Sequence, residues 1–584
     1  METADSCWRR GEGAREAGRL EEAIASYRRT LALVPEFAPA HANLALVLPV
    51  AGEAEVRRAL ALLADHPLLY FNLGNLLQGT GRPGASRAFR RSLALAPAAP
   101  GAWLNLGVAV HAEGRLGRAV EAARRELALA SLAAEAWNNF ANARRDQGRI
   151  EDAFAAYGEA LACRPGYVDA DRNRLCARLY LDDDDERAGR EAAAFAHRHG
   201  PKPAPAAART SPGSARQLRI GLLSSDLGDH PVGRNLSSFI QHRDPRAIWL
   251  AVYDTGASSL AGGDWFRARV DLWRHVAALT DPAIAAVIRA DRIDVLVVLA
   301  GRFDRNRPLV AAFRPAPVQV AMHDGGPSGM GEGGMGEDPA IGAWITDAVL
   351  HPSGDRAGGD RLLRLPVFYN FPEPDRPPPT HRPDPDALVL GSFSNPAKLS
   401  SATLTAWGRL LAACPEARLL LKYRSWYGDD AVQARVAAGV ARAGGDPARL
   451  VFLAAAEEAA RHLDRYATID LALDPFPFSG ATTSFEALAM GVPVLTFAGS
   501  AAIGRTTAAI LRPLGLDELI AASPEDYVER ALAFAADRPR LRGLRAEIPE
   551  RLRRSPLLDG KAYAASLTQA FRRLWQEWCR KADA

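Results

Sequence analysis

The sequence predicts a helical repeat superhelix followed by two doubly wound α/β domains. Three observations carry this. First, the segment GRLEEAIASYRRTLALVPEF (Gly18–Phe37) returns as GRIEDAFAAYGEALACRPGY (Gly148–Tyr167). Second, from Leu218 the chain turns to short apolar runs separated by helix-like stretches. Third, a Pro-rich stretch, Pro372–Pro385, splits those runs into two series. At 584 residues the chain is too long for a single core.

The repeat keeps fixed offsets. Ala23, Tyr27 and Pro35 correspond to Ala153, Tyr157 and Pro165, with Ala85, Phe89 and Pro97 between them and a weaker copy around Ala119. The steps Trp103 to Trp137, Gly114 to Gly148 and Ala119 to Ala153 are each 34 residues. That is the tetratricopeptide period: paired antiparallel helices, a small Ala where they touch, an aromatic filling the gap, and Pro ending the second helix. The unit at residues 38–65 is degenerate. An Asn recurs on the first helix of each pair, at Asn43, Asn72, Asn105 and Asn139. An amide carries donor and acceptor together, so this row either grips the backbone of a bound peptide or simply suits the repeat position. Residues 1–198 form the repeat domain, and the acidic LYLDDDDERAG near its end reads as a solvated loop or helix start. Residues 199–217, rich in Pro, Ala and Ser, are a linker.

In the remainder, LRIGLLSSD, WLAVYDTG, IDVLVVLAG, PVQVAMH and AWITDAVL read as buried strands of one domain, 218–385. LVLGSFS, RLLLKYRS, LVFLA, DLALDPFP and VPVLTFAG belong to a second, 386–584, closed by a C-terminal helix. Such sheets bind ligands at the carboxyl ends of their strands, and two facing domains suit a two-part substrate.

Composition excludes several classes. A formal net charge of +4 gives no support to nucleic-acid or bulk membrane binding. Cys7, Cys163, Cys176, Cys414 and Cys579 form no CxxC, and no His cluster has metal spacing, so a reducing compartment fits and a metal site does not. The charged N-terminus is unlike a signal peptide, and no apolar run would span a bilayer; a cytoplasmic protein is expected.

Candidate chemistry gathers at strand ends. In DPFPFSGATTSFEALAMGVPVLTF a strand, a Gly turn and a helix beginning near Thr483 expose backbone N–H groups for an anion. The alternative is a Thr N-cap, with Glu486 closing a capping box. In GSFSNPAKLSSATL, Lys398 is a point cation and Asn395 a polar contact, unless both are merely solvated. In SSDLGDHPVGRN, His230 is a candidate acid/base or polar contact, or a turn residue. The GxGxxG at Gly331, Gly333 and Gly336 lacks a clear following helix and reads as a flexible active-site loop.

Beyond the repeats, LRIGLLSSDLGDHPVG, FRPAPVQV, ITDAVLHP, RLLRLP, FSNPAKLSSATLTAW, HLDRYATIDLALDPFPFSGATTSFEALAMGVPV and LGLDELIA resemble the O-linked N-acetylglucosamine transferases and their SPINDLY-like relatives. The resemblance covers nearly the whole chain. It implies a GT-B fold, two Rossmann-like domains with the active site between them, and metal-independent, inverting transfer from a nucleotide sugar to Ser or Thr. It further implies that Thr482 and Thr483 hold the donor diphosphate, that Lys398 offsets leaving-group charge, and that Asn395 lies beside it. His462 would pack against the base, Glu486 would face the ribose, His230 would meet sugar and acceptor, and Arg505 would match an Arg of a Ser-Arg turn more loosely. Two departures stand out. Arg302, in AGRFDRN, occupies the position of a His in many bacterial relatives, and HDGGPSGMGEGGMGED replaces a shorter loop.

The function so implied is protein O-glycosylation from UDP-N-acetylglucosamine, with no cofactor beyond the nucleotide-sugar substrate. The repeats would hold a protein or peptide acceptor, and neither nucleic acid nor membrane insertion is expected. Two alternatives remain: a flagellin or surface-protein glycosyltransferase using another activated sugar, such as a nonulosonic acid on cytidine monophosphate, and a non-catalytic repeat scaffold.

Overall fold

A computed structural model describes the chain except residues 1–2, 49–51, 182–183, 203–212, 214, 257–261, 304, 332–338, 353, 355, 358, 381–383, 385–386, 455–458 and 584. Most of the linker, Gly333 and Gly336 of the glycine-rich loop, and two Asp of the acidic run therefore lie outside the described residues. The chain divides into two compact units, residues 1–144 with 162–164, and residues 145–161 with 165–584.

The first unit is built of antiparallel helix pairs: Ala4–Glu16 with Leu20–Leu33, Ala38–Val47 with Gly52–Leu62, Pro67–Gly79 with Ala85–Leu95, and Ala102–Ala112 with Leu116–Leu129. The degenerate unit thus keeps its helix pair, through Val56, Ala59 and Leu69. Tyr27 and Phe89 are fully buried, and each needs a glycine opposite. A Cβ on Gly11 would stand 2.6 Å from the Tyr27 ring, and one on Gly74 2.5 Å from Phe89. Burying such a ring contributes about 1.5–3 kcal/mol. The turn glycines Gly18, Gly81 and Gly114 lie at φ +73°, +66° and +76°, the left-handed conformation that ends a helix and reverses the chain.

The second unit opens with Ile150–Cys163, Val168–Arg178 and Asp185–His199, of which the first begins in this unit and ends in the other. These last helices are built into the α/β part. Leu175, Ala192 and Phe195 pack on Leu309, and Tyr180 stacks on Phe478 at 4.7 Å. An eight-stranded sheet follows, ordered β3-β2-β1-β4-β5-β6-β8-β7. Its strands are β1 (Leu218–Ser224), β2 (Ile248–Asp254), β3 (Leu272–His275), β4 (Val295–Leu299), β5 (Val318–Met322), β6 (Ala343–Asp347), β7 (Arg356–Ala357) and β8 (Asp360–Leu365). All pair in parallel except β7 with β8. β4, VLVVL, is buried at every position, as a strand covered on both faces must be.

The second sheet is parallel throughout, β11-β10-β9-β12-β13-β14. Its strands are β9 (Leu388–Ser392), β10 (Ala417–Lys422), β11 (Leu450–Leu453), β12 (Leu471–Leu473), β13 (Val494–Phe497) and β14 (Ile520–Ala521). In both sheets the order reverses beside the first strand, at β1/β4 and β9/β12, which opens a crevice at the carboxyl ends. The closing helix Gly560–Asp583 returns to the first sheet's domain. Its Phe571 packs on Phe239 at 5.9 Å, and Tyr563 donates to Asn235 at 3.1 Å.

Candidate active site

β12 ends at Leu473, and the turn after it is held from within. Asp474 is buried; it accepts from Gly480 N–H at 2.7 Å and from the Thr496 hydroxyl at 2.8 Å. Burial raises its carboxyl above the usual range, against the lowering effect of Thr507, Thr496, Lys398 and Gly480. The helix Thr482–Ala489 then starts, with Ala481 at its N-cap and no side-chain cap. The capping-box alternative is therefore corrected: Thr482 and Thr483 are the first helical residues, not caps. Glu486 is turned away from the helix start. The first-turn N–H groups, which no intrahelical carbonyl can reach, meet no hydrogen-bond acceptor among the described residues and could face an anion.

Lys398 comes from the other side of the switch point. β9 leads into the turn Pro396–Lys398, where Asn395 accepts from Ala397 N–H at 2.9 Å. Lys398 donates to the Ser479 carbonyl at 2.7 Å and lies 4.1 Å above the Phe478 ring. Its ammonium is thus tied to the turn that precedes Thr482. Burial lowers its pKa to about 8, with Asp474 opposing.

His462, on the short helix Ala459–Asp464, takes part in a continuous polar chain. Lys422 Nζ lies 2.8 Å from Nδ1, and Nε2 lies 3.2 Å from Glu486 Oε2. Glu486 Oε1 in turn accepts from Arg234 at 2.9 Å. An ammonium can only donate, so the network assigns the proton of His462 to Nε2. Arg234 lies on the helix Pro231–His242 of the first sheet's domain, so this pair spans the two α/β domains. His230 starts that helix as its N-cap, Nδ1 accepting from Val232 N–H at 3.4 Å with its side chain 30% exposed.

The model of glycosyl transferase family 41 matches residues 201–353 and 380–567. The chain belongs to glycosyl transferase family 41. It is 31% identical over 373 residues to a protein of Solanum lycopersicum described as a probable UDP-N-acetylglucosamine–peptide N-acetylglucosaminyltransferase SPINDLY, covering 62% of this chain and 39% of that one. A rice protein of the same description is 30% identical over 440 residues, 73% of this chain and 46% of the relative. The chain thus spans less than half the length of these curated relatives. Among solved structures, a variant of the O-GlcNAc transferase of Thermobaculum terrenum matches with a TM-score of 0.81 and 33% identity, over 89% of this chain and 99% of that one.

In this family 41 chain, Arg302 does not enter the cleft as a bare charge. It is buried, donates to Asp324 through its backbone N–H at 2.8 Å and its Nε at 3.1 Å, and also reaches the Pro327 carbonyl. The Arg and the altered loop are thus one device, a buried ion pair between the ends of β4 and β5. Arg505 reaches the Ser500 carbonyl at 2.5 Å. In the repeat unit, Asn43 donates to Glu12 at 2.8 Å and Asn105 to Asn75 at 2.9 Å. Asn72 is buried at 8% exposure, and Asn139 is partly buried.

Sequence reasoning missed Arg234, Lys422 and Asp474. Asp474 sits inside the quoted motif, and its place at a strand end was the available signal. Arg234 and Lys422 carried none, because their partners are distant in sequence.

Proposed function

We propose that this chain is an inverting protein O-glycosyltransferase that moves N-acetylglucosamine from UDP-N-acetylglucosamine to Ser or Thr of a protein acceptor. The observation that carries the reading is the junction at Ser479, where Lys398 and the uncapped helix start at Thr482 and Thr483 converge. A departing diphosphate needs this pairing of a cation with aligned N–H donors. Family membership and the relatives' described activity support the sugar and the acceptor class.

In this reading the diphosphate rests on Thr482 and Thr483, and Lys398 offsets the charge that grows as the glycosidic bond breaks. Asn395 lines the same turn, and Arg505 is the looser of the donor-binding assignments. His462 borders the base, with Glu486 oriented between it and Arg234. The acceptor hydroxyl attacks the anomeric carbon from the face opposite the diphosphate, which inverts it. His230, the N-cap of the helix Pro231–His242, is read as the side chain that meets the sugar and the acceptor. The acceptor proton then passes to the departing phosphate. Positive charge from Lys398 and the helix start serves the leaving group, so the reaction is read as metal-independent. The repeat unit binds the acceptor, its Asn row included, and the enzyme acts in the cytoplasm.

The test is intact-protein mass spectrometry of acceptors co-expressed with the enzyme, together with calorimetry of UDP and CMP. A mass gain of one N-acetylhexosamine and preferential UDP binding are expected. Preferential CMP binding, with a different mass gain, would replace the donor. Binding of neither nucleotide would leave a repeat scaffold.

A further inference from the structure

Arg435, on the helix Asp430–Arg442, grips the turn that carries Lys398. Its Nη2 donates to the Pro396 carbonyl at 2.9 Å and its Nη1 to the Leu399 carbonyl at 2.8 Å. These two carbonyls flank Lys398, so one planar guanidinium fixes the backbone on both sides of it. The rigid fork of an arginine holds both acceptors in one geometry, which the point charge of a lysine cannot do. Tyr427, in the turn before the helix, donates to the Ser394 carbonyl at 3.1 Å. The chain from Ser394 to Leu399 is thus held at three carbonyls by one neighbouring segment. Lys398 has a flexible stem, and its ammonium lies 2.7 Å from the Ser479 carbonyl. Where that ammonium stands depends on where the turn holds its backbone.

The third contact of Arg435 is to the repeat motif. Nε donates to the Gln147 carbonyl at 2.9 Å. The Gln147 amide donates to Asp429 at 3.1 Å, and Asp429 caps the Arg435 helix, accepting from Ala431 N–H at 3.2 Å and Val432 N–H at 3.3 Å. Gln147 and Gly148 stand at the turn where the later copy of the repeat motif begins, and they belong to the same compact unit as Arg435. Gly148 corresponds to Gly18 of the first copy, and both are left-handed, at φ +77° and +73°. Their surroundings differ. A Cβ on Gly18 would meet nothing within 4 Å, whereas one on Gly148 would stand 2.1 Å from Arg435 Nη2 and 2.6 Å from the Pro396 carbonyl oxygen. The left-handed turn accounts for a glycine at both positions, but only Gly148 of this pair has a side chain pressed against it. Burial lowers the Arg435 pKa to about 10, so the guanidinium keeps its charge at neutral pH.

We propose that Arg435 is a positioning residue for the transfer reaction: it clamps the turn on either side of Lys398 against the Gln147–Gly148 turn and so sets the lysine at the anion site. The inference rests on the leaving-group role given to Lys398 above. Its test is a double-mutant cycle on the full chain, read as release of UDP from UDP-N-acetylglucosamine. Arg435→Met should lower kcat about 10-fold to 100-fold, the loss that a misplacement of about 1 Å can produce. In a Lys398→Ala background the same substitution should cost less than about twofold, because the group it positions is gone. A merely structural loss would be equal in the two backgrounds, and equality overturns the inference. Arg435→Lys keeps the charge without the fork, so it should melt near wild type and still lose turnover about fivefold or more. If Arg435→Met does not fold, Arg435→Lys completes the cycle with Lys398→Ala. Gly148→Ala, which puts a methyl group against Nη2, should lower kcat in the same background-dependent way. Normal turnover in folded Arg435→Lys and Gly148→Ala proteins, beside a Lys398→Ala protein that has lost it, sinks this inference alone. If Lys398→Ala turns over the donor as wild type does, the leaving-group reading fails and takes this one with it.

Discussion

If Lys398 holds the donor diphosphate as proposed, nucleotide binding should depend on pH in a way that one substitution can isolate. The lysine's contacts are a carbonyl at 2.7 Å and a ring face at 4.1 Å, and burial holds its pKa at about 8, below the usual 10.5. The charged form therefore dominates at pH 7 and is lost as pH rises through 8. If the diphosphate binds the ammonium form, affinity follows the protonated fraction, about nine-tenths at pH 7 and about one-tenth at pH 9. UDP binding should thus weaken about tenfold over that window, equivalent to about 1.4 kcal/mol. Lys398→Ala should bind UDP weakly at both pH values, with the slope abolished, and turnover should fall about 100-fold to 1,000-fold. Calorimetry at pH 7, 8 and 9 on both proteins is the assay. Equal slopes in the two proteins, or a flat wild-type profile, would refute the assignment. The same shift has an opposite consequence for folding. Between pH 8 and 10.5 the unfolded chain holds the extra proton, so this group's contribution to stability rises with pH, and it is fully present only above that window.

Three further outcomes follow from the geometry. Arg302→Ala strands the buried Asp324 carboxylate and should cost about 3–5 kcal/mol in urea unfolding, while Arg302→Leu combined with Asp324→Leu should recover most of it; equal losses in both would contradict the paired-device reading. Gly480→Ala places a Cβ 2.2 Å from Ser484 Oγ and 2.8 Å from Asp474 Oδ1, so it should distort the turn, destabilise the protein by about 1–3 kcal/mol and weaken UDP binding; unchanged UDP affinity would remove the turn from the site. Asn105→Ala with Asn139→Ala should lower kcat/KM for a protein acceptor about fivefold to tenfold while sparing donor hydrolysis. A loss of both activities would argue against a role confined to the acceptor.

Much of the architecture was legible because it repeats or alternates. The 34-residue step needs only small and aromatic residues at fixed offsets, and those offsets lie within one helix pair. The apolar runs for β1, β2, β4, β5, β6, β9, β10, β12 and β13 were readable because strands buried on both faces must be continuously apolar; β11 was readable from its apolar run alone, although as an edge strand it is partly exposed. β3, β7, β8 and β14 were not read: β3 is partly exposed, and β7 and β14 are two residues each. The motif around Thr482 was legible as either a cap or an anion site, since the same residue types serve both. The choice depended on where the helix begins, and that boundary depends on the turn before it: Asp474 accepts from Gly480 N–H, the Ser479 and Thr506 hydroxyls are hydrogen-bonded to each other, and Thr506 donates to the Gly480 carbonyl.

The sequence by itself therefore determined the kind of protein: a repeat array, two parallel-sheet domains, and which loops stand at strand ends. These follow from periodicity and local propensity, which act over a few residues. Tertiary structure alone decided what each polar group faces. It put Glu486 between His462 and Arg234 and paired Arg302 with Asp324. Ion pairing and desolvation act through space between residues far apart in the chain, and the chain's order does not record those distances.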